Sequence, residues 1–423
     1  MSTEARSDLE DLIQREILVS RSKPVGKGDV RGRDCSTAVQ IALSSQKNRA
    51  LIRRVLGDAG LKIWDDEPHL RFNLIMNIPI PLITISSNVG DSFLRLQLDA
   101  ATSPYSRSDS SEACKYTSVH IGQRKLLINE VLFMTKHGSK AKTVVYIGAA
   151  GGSHTPALCE LYPNHRFLLY DPAHFSKPLL DYMRRNPKRV AVYNELFPPA
   201  DKTGRAARDL AEATGPDSGG FLLISDIRRR DVTSEAPTNK DVDEDMVLQS
   251  DICREMIPLA AHLKCRLPYM DPESTEQDIP VVMPKGDIYF QPWCAHKSTE
   301  TRLFLVPPYD DDHMMTVSAR WYESALYHHN MNNRYSRYEV ADLAPLAMFV
   351  GPVYDSCFDC TFERFTIMQY LATALEMVGS GPNSDVSQYT SFASVYNLFK
   401  RHVGREDERM LREETPPPPT YRR

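Results

Sequence analysis

Four ionisable residues interrupt apolar stretches of this 423-residue chain. Lys125 lies in GQRKLLINEVLF, Asp226 in LLISDI, Lys264 in AAHLKCRLPY and Glu300 in STETRLFL. An unpaired charge is costly to bury, so two lysines and two carboxylates in such surroundings are expected to pair with one another. An amine held among carboxylates is a group that can exchange a proton with a hydroxyl. The alternative is four unrelated surface residues at strand ends, and the spacing alone allows both.

A glycine-rich turn indicates a second kind of chemistry. VYIGAAGGSHTPAL places Gly148, Gly151 and Gly152 between an apolar strand and a helix, where backbone can approach a polar or anionic ligand. The second and third glycines of a G-x-G-x-x-G motif are missing, which weakens a dinucleotide-binding interpretation. Asp171 ends the next predicted strand, where an acid binds the ribose hydroxyls of an adenosine ligand. Both features fit S-adenosylmethionine, and a tight turn in any α/β fold is the alternative.

The elements that must position these residues follow from the apolar pattern. Four short runs, at 142–148, 166–171, 189–194 and 221–226, are strongly apolar and are separated by helical segments. Runs buried on both faces and joined by helices are typical of a doubly wound parallel sheet. A periodic helix at 242–258 precedes four closely spaced strand-like segments, HLKCRL, GDIYFQP, ETRLFLV and MMTVSAR. We therefore predict an α/β fold whose mostly parallel sheet ends in antiparallel strands.

Composition shifts divide the chain into four predicted parts. An N-terminal extension covers 1–118, the catalytic domain 119–335, a helical C-terminal extension 336–410, and a disordered proline-rich tail 411–423. Within the extensions, helices are expected at 5–18, 48–60, 363–378 and 386–403.

Composition also narrows the classes of function. The net charge is −4, so no global positive field attracts DNA or RNA, and any RNA contact needs a local basic surface. The eight cysteines are scattered and no second pair accompanies Cys357 and Cys360, which predicts reduced thiols, an intracellular protein and no metal. No apolar leader follows Met1, and the most apolar stretch, Leu74–Ile85, is short and contains prolines. We expect neither a membrane nor DNA as a partner.

Six motifs resemble, in order and approximate spacing, those of the cap-specific mRNA 2′-O-methyltransferase family, which includes poxvirus and trypanosomatid enzymes. They are GQRKLLINEVLF, VVYIGAAGGSH, LLISDIR, LKCRLPYMD, TETRLF and WYESALYHHN. The resemblance covers 119–331, about half of the chain. It implies a Rossmann-like methyltransferase fold, S-adenosylmethionine as cofactor, m7G-capped RNA as partner and a nuclear location.

By this resemblance, Lys125, Asp226, Lys264 and Glu300 match the catalytic tetrad of RNA 2′-O-methyltransferases. A ribose 2′-hydroxyl is a weak nucleophile that must lose its proton as it attacks a methyl group. Lys264 matches the base, and burial beside Lys125 is expected to favour its neutral form, while both carboxylates hold it in place. No metal is needed for this chemistry.

The resemblance also implies a donor site. The matching positions are Gln123, Tyr146, Gly148, Gly152, His154, Asp171 and Arg228. Gly151 stands where the family has proline and Ala173 where it has a basic residue, so contacts to the adenosine are expected to differ in detail. Arg229 and Arg230 have no match, and both RNA phosphates and plain solvent are open as their surroundings.

A cap pocket is implied by Tyr269, Asp271 and Glu323, which match the family's cap-binding positions. Guanine methylated at N7 is positively charged, so aromatic faces sandwich it and acids accept hydrogen bonds from its edge. Tyr105 is at a plausible distance along the chain for the second aromatic wall. A family tyrosine near the cap falls on Lys297. Without the resemblance, Tyr269 is a core or turn tyrosine.

Two other functions compete. An amino-group methyltransferase needs [ND]-PP-[YFW] after the fourth strand, but VPPY at 306–309 follows a later strand and Val306 cannot accept the amino proton. A non-catalytic cap-binding or RNA-processing regulatory subunit could keep the same fold, and the intact tetrad argues against it. The size and the long flanks favour the trypanosomatid branch, with methylation at the second transcribed nucleotide during cap 4 formation on spliced-leader RNA.

Overall fold

The structure, a computed structural model, describes residues 11–12, 48–66, 81–86, 90–105, 122–228, 237–270, 278–294, 298–340, 356–378 and 388–403. The helices are α1 (Arg49–Asp66), α2 (Gly122–His137), α3 (Thr155–Leu161), α4 (Lys177–Arg185), α5 (Arg205–Thr214), α6 (Asn239–Met256), α7 (Ala319–Met331), α8 (Phe358–Val378) and α9 (Phe392–Val403). The strands are β1 (Leu82–Ile85), β2 (Thr143–Ile147), β3 (Arg166–Tyr170), β4 (Val190–Tyr193), β5 (Phe221–Ser225), β6 (Ala260–Cys265), β7 (Pro280–Pro284), β8 (Asp287–Tyr289), β9 (Thr301–Leu305), β10 (Met314–Ser318) and β11 (Arg337–Val340).

A seven-stranded sheet forms the centre of the fold, in the order β4-β3-β2-β5-β6-β9-β8. The first five strands are parallel, and β9 and β8 are antiparallel to their neighbours. This confirms the predicted α/β class and the mostly parallel sheet with antiparallel strands at its end. Strand order reverses direction between β2 and β5, and ligands of open α/β sheets bind beyond the carboxyl ends of the strands at such a point.

Helix α2 is buried on nearly all sides, as expected for a helix with apolar residues around its whole circumference. Its Phe133 ring packs against His262 of β6 and Phe304 of β9 on the sheet. Helices α8 and α9 pack against α2 as well, and α9 also contacts α3. The C-terminal helices therefore cover α2 and part of α3.

Strand β10 corrects one expectation, because it does not join the main sheet. It pairs with β7 in a separate antiparallel ribbon. Strand β7 was not predicted, since prolines at both of its ends obscure the pattern, yet proline is tolerated on an edge strand. Strand β11 adds a non-helical element to the C-terminal region, where it pairs in parallel with β1.

The flanking predictions are covered only in part. Helix α1 spans the predicted segment at 48–60 but is broken at Gly57, whose φ is 72°. Of the expected helix at 5–18, only residues 11–12 lie in the described part, and they are helical. The tail at 411–423 lies outside the described residues, and the three boundaries between the four predicted parts stay predictions.

Candidate active site

Three of the four charged residues lie at neighbouring strand ends. Asp226 directly follows β5, Lys264 is near the end of β6, and Glu300 directly precedes β9. Because β9 runs antiparallel to β6, with Cys265 opposite Thr301, the start of β9 lies beside the end of β6. The register of the sheet therefore brings the three side chains to one edge.

Lys125 joins this cluster from the first turn of α2. Its Nζ donates to Glu300 Oε1 at 3.0 Å, while Lys264 Nζ lies 3.0 Å from Asp226 Oδ1 and 3.6 Å from Glu300 Oε2. The side chains of these four residues, hereafter the tetrad, are between 11% and 17% exposed. They are largely shielded from water but can still be reached by a substrate.

A fifth charged residue, Arg302, lies beneath the tetrad and is fully buried. Its Nη1 donates to Asp226 Oδ1 at 2.7 Å and its Nη2 to Glu300 Oε1 at 3.2 Å, so one guanidinium joins both carboxylates. Sequence reasoning did not single it out, although it stands inside TETRLF. An arginine in the middle of a buried five-residue strand was the available signal, because such a charge must have a partner.

The two acids of the tetrad are ionised at neutral pH. Burial alone would raise the pKa of Asp226, but Lys264 and Arg302 outweigh it and lower that pKa below the ordinary value. Burial opposes ionisation of Glu300 too, and its cationic neighbours Lys264, Lys125 and Arg302 hold its pKa well below the ordinary value. Two carboxylates in this state accept hydrogen bonds and fix the directions of both amines.

The glycine-rich turn lies directly against the tetrad. Gly148 and Gly152 have left-handed backbone, with φ of 75° and 63°. A Cβ at Gly148 would lie 2.7 Å from the main-chain carbon of Asp226, and one at Gly152 would lie 2.6 Å from Leu179. Only glycine fits either position. The backbone of the turn and the backbone of Asp226 are therefore in contact at the switch point between β2 and β5.

Asp171, directly after β3, supports the same turn. Its Oδ2 accepts from the backbone N–H of Ala150 at 3.0 Å, and its Oδ1 accepts from that of Ala173 at 2.7 Å. Each oxygen retains a further lone pair that a ribose hydroxyl could use. Binding of a ribose by Asp171 stays a prediction.

Two of the predicted donor-site residues are engaged inside the protein. The hydroxyl of Tyr146 donates to Glu130 Oε1 at 2.6 Å, and burial raises the pKa of Tyr146 well above its ordinary value. The His154 ring joins Glu130 to Gln123, with Nε2 3.0 Å from Glu130 Oε1 and Nδ1 2.8 Å from Gln123 Oε1. Tyr146 and His154 are buried and only Gln123 is partly exposed, so this chain of contacts positions Gln123. Sequence reasoning missed Glu130.

Arg228 lies between the tetrad and α6. Its Nη2 is 3.8 Å from Glu300 Oε2, and its Nη1 is 3.8 Å from Oδ2 of the buried Asp245. The following residues, Arg229 and Arg230, lie outside the described residues, so their surroundings stay open.

An aromatic cluster lies beyond the end of β6. The rings of Tyr105 and Tyr269 have centroids 5.6 Å apart and are tilted by 38°, and Tyr327 meets Tyr105 edge-on at 5.3 Å. The Arg266 guanidinium lies 4.5 Å from the centre of the Tyr269 ring. Asn239 donates to the Tyr269 carbonyl at 2.9 Å and accepts from its N–H at 3.0 Å. The structure thus brings both predicted tyrosines together, and it adds Tyr327, Arg266 and Asn239, which sequence reasoning missed.

Of the two acids predicted for the cap pocket, the described residues include Glu323 but not Asp271. Glu323 of α7 is buried, and its Oε2 accepts from the backbone N–H of Met270 at 3.4 Å, next to Tyr269. Asp271 and Lys297 lie outside the described residues, so the predictions made for them are not addressed.

The matched portion of the chain settles the family. The model of a family described as poly A polymerase regulatory subunit matches residues 97–370, more than half of the chain. The chain belongs to this family. The match contains the tetrad, the glycine-rich turn and the aromatic cluster.

Two curated relatives of this family member are named as enzymes. The chain is 29% identical over 195 residues to the cap-specific mRNA (nucleoside-2′-O-)-methyltransferase of Myxoma virus (strain Lausanne), covering 44% of the chain and 53% of the viral protein. It is 28% identical over 191 residues to the protein of that name from Fowlpox virus (strain NVSL), covering 43% and 56%. The chain thus spans about half the length of the curated relatives it matches.

Other features of this family member concern metals and membranes. The described cysteines, including Cys357 and Cys360, are buried and are not joined in disulfides with one another. In the part of the chain that the structure describes, no group of three or more His, Cys, Asp or Glu residues could hold a metal ion. Among the described helices, none is both long and apolar enough to cross a bilayer.

Proposed function

We propose that this chain is an S-adenosylmethionine-dependent, cap-specific mRNA 2′-O-ribose methyltransferase that acts on m7G-capped RNA. The observation that carries this proposal is the tetrad, in which Lys264 lies between two ionised carboxylates at the carboxyl edge of the sheet. The enzyme names of the viral relatives support the same reaction class.

The glycine-rich turn fits S-adenosylmethionine. A ligand can approach its backbone closely, because Gly148 and Gly152 carry no side chain and the turn lies at the switch point of a mostly parallel sheet. Asp171 and Gln123 offer polar atoms beside it, and a Rossmann-like methyltransferase fold is consistent with this sheet. When bound, S-adenosylmethionine supplies an electrophilic methyl group.

Within this proposal, the residues of the chain position the ribose and take its proton. In its neutral form, Lys264 Nζ accepts the proton of the 2′-hydroxyl as that oxygen attacks, while Asp226 and Glu300 orient the amine. Lys125 contacts the same carboxylate as Lys264, so Glu300 holds both amines. Arg302 is too deeply buried to touch a substrate, so its role is to fix both carboxylates.

The aromatic cluster is the proposed cap site. Tyr269 and Tyr105 supply the aromatic faces, and Asp271 and Glu323 the acids that accept from the edge of m7G. A base inserted between two parallel rings needs them about 7 Å apart, because each contact takes about 3.5 Å. The observed 5.6 Å is shorter, so Tyr105 must move away from Tyr269 when a cap enters.

The spacing between the cap site and the tetrad determines which nucleotide is methylated. We assign methylation to the second transcribed nucleotide of spliced-leader RNA, as in cap 4 formation, and we place the protein in the nucleus. Mass spectrometry of nuclease-resistant cap fragments tests the assignment. A methyl group found on the first nucleotide alone rejects it while leaving the reaction itself intact.

One finding favours a second candidate function. The matching family is described as a regulatory subunit of poly A polymerase, which suits a non-catalytic cap-binding or RNA-processing subunit. Incubating the purified chain with methyl-labelled donor and m7G-capped RNA separates the two. Label in the ribose supports the enzyme, whereas cap binding without any transfer supports the regulatory subunit.

A further inference from the structure

Two buried ion pairs attach helix α8 to the rest of the fold. Its acids Asp359 and Glu363 are four residues apart, which places them on one face of the helix. Asp359 pairs with the buried Arg334 and Glu363 with the buried Arg124. Helix α8 belongs to the C-terminal region, which carries none of the residues assigned to the proposed reaction.

The Arg124–Glu363 pair is rigid. Arg124 Nε donates to Glu363 Oε2 at 2.8 Å and its Nη2 to Oε1 at 2.6 Å, so the contact is bidentate. Trp293 Nε1 also donates to Glu363 Oε2, at 2.9 Å. The guanidinium lies 5.7 Å from the Trp293 ring and 5.8 Å from the Tyr396 ring. Two parallel hydrogen bonds and two aromatic neighbours fix the guanidinium in both position and orientation.

The position of Arg124 in the sequence gives this pair its significance. It stands in the first turn of α2, between Gln123 of the proposed donor site and Lys125 of the tetrad. The first turn of a helix is its weakest part, because its N–H groups have no partner within the helix. A side chain anchored there restricts where the next residue, Lys125, places its amine relative to Glu300.

Trp293 connects the same pair to the opposite side of the tetrad. Its φ is 57°, a left-handed conformation that is costly for a bulky residue and persists only where its surroundings enforce it. Gln291, two residues earlier, donates to Glu300 Oε1 at 2.9 Å. The segment that ends at Trp293 therefore contacts Glu300 at one point and Glu363 at another.

We propose that Arg124 is a positioning residue that Glu363 and Trp293 hold in place, so that Lys125 meets Glu300 in the geometry the reaction needs. The inference rests on the proposed methyl transfer for its effect on rate. It makes α8 part of the active-site framework although the helix contributes no reacting group.

The test compares Glu363→Gln with Asp359→Asn. Each change removes one buried carboxylate charge from α8 and leaves its arginine in place, so Asp359→Asn controls for loss of an ion pair as such. In single-turnover methyl transfer at a temperature where melts show both variants folded, Glu363→Gln should lower the rate about ten- to a hundredfold, with capped-RNA affinity unchanged. The same comparison is then made in the Lys125→Ala background. There Glu363→Gln should cause no further loss, whereas any effect of Asp359→Asn should persist.

An equal fractional loss from Glu363→Gln in both backgrounds overturns the proposal, because a general structural defect does not depend on Lys125. If Glu363→Gln does not fold, Arg124→Lys replaces it in the same comparison of the two backgrounds. Arg124→Lys keeps the charge but loses the bidentate contact.

Hydrogen exchange separates this inference from the proposed function. Without any substrate, Glu363→Gln should speed amide exchange at residues 126–129 of α2, and Asp359→Asn should not. If the unaltered chain transfers no methyl group, the proposed function fails, and faster exchange still supports anchoring of α2 by Glu363. Unchanged exchange in Glu363→Gln overturns the anchoring, whether or not the chain is an enzyme.

Discussion

Asp226, Lys264 and Glu300 lie at the ends of adjacent strands, whereas Tyr105 and Tyr269 lie on irregular segments beyond the sheet. Backbone pairing fixes the charged residues, and their contacts fall between 3.0 and 3.6 Å. The Asn239 side chain holds the backbone of Tyr269, and the rings of Tyr105 and Tyr269 lie too close together for a base to stand between them. We infer that the charged cluster is formed before substrate binds, while the aromatic cluster must rearrange to bind it.

The largest loss of activity is expected from a substitution in the tetrad. In the proposed reaction, Lys264→Ala removes the group that takes the proton of the 2′-hydroxyl, so single-turnover methyl transfer should slow about 10²- to 10⁴-fold. Binding of donor and of capped RNA, measured by calorimetry, should stay close to that of the unaltered chain. Near-normal turnover by this variant would remove Lys264 from the reaction.

The free energy of unfolding should depend strongly on Arg302, the buried residue beneath the tetrad. Arg302→Met leaves two carboxylates without their buried guanidinium, so the free energy of unfolding should fall by about 3–5 kcal/mol in urea melts. Arg254→Met is the control, because Arg254 pairs with Asp311 at an exposed position, and it should cost no more than about 1 kcal/mol. Equal losses for the two variants would mean that the contacts of Arg302 with the tetrad are not a major stabilising feature.

A smaller and selective effect is expected in the aromatic cluster. Tyr269→Ala should weaken binding to m7G-capped RNA by about 1–3 kcal/mol, a loss typical of one stacking contact. Fluorescence titration with an unmethylated cap should show a smaller loss, because the positive charge of m7G is absent. An equal loss for both caps contradicts a cap-stacking role.

Comparing alanine substitutions at two glycines tests the close backbone contact between the glycine-rich turn and Asp226. Gly148 and Gly219 both have left-handed φ, of 75° and 71°, but a Cβ would meet Asp226 only at Gly148 and nothing within 4 Å at Gly219. Gly219→Ala should cost about 1–2 kcal/mol from its backbone alone. Gly148→Ala should cost clearly more in the same melts and also reduce donor affinity. Equal costs would mean that the contact between the turn and Asp226 adds nothing.

Lowering the pH should reduce the free energy of unfolding, because the fold keeps buried histidines neutral. Burial, followed by the charge of Arg302, holds the pKa of His262 well below its ordinary value, and burial lowers the pKa of His137 to about 4. A histidine kept neutral by the fold contributes full stability above its unfolded pKa of about 6.5, and that contribution falls as the pH drops below this value. Urea melts at about pH 7 and about pH 5 should show a smaller acid loss for His262→Phe than for the exposed control His174→Phe.

Much of the fold could be predicted, because the strands that carry the tetrad are short, apolar runs separated by helices. The positions of Lys264 and Glu300 follow from motifs and from strand order. Strand β7 was missed because its flanking prolines do not fit the usual strand pattern, although they fit an edge.

Contacts between distant side chains could not be predicted. Arg124 and Glu363 are 239 residues apart in the sequence, and nothing local to either one indicates the other. Arg302 stands inside the motif TETRLF, but the partner that makes its burial possible, Asp226, lies 76 residues earlier. Such pairs depend on how the helices pack on the sheet, which periodicity alone does not specify.

The most direct measurement follows labelled methyl groups from S-adenosylmethionine into capped RNAs that differ by a single ribose oxygen. Three m7G-capped RNAs are compared: one all-ribose, one with 2′-deoxyribose at the first transcribed nucleotide, and one with 2′-deoxyribose at the second. We expect label in the first two RNAs and none in the third. Label in the third RNA equal to that in the first would contradict this, because methyl transfer would then not require the 2′-hydroxyl of the second nucleotide.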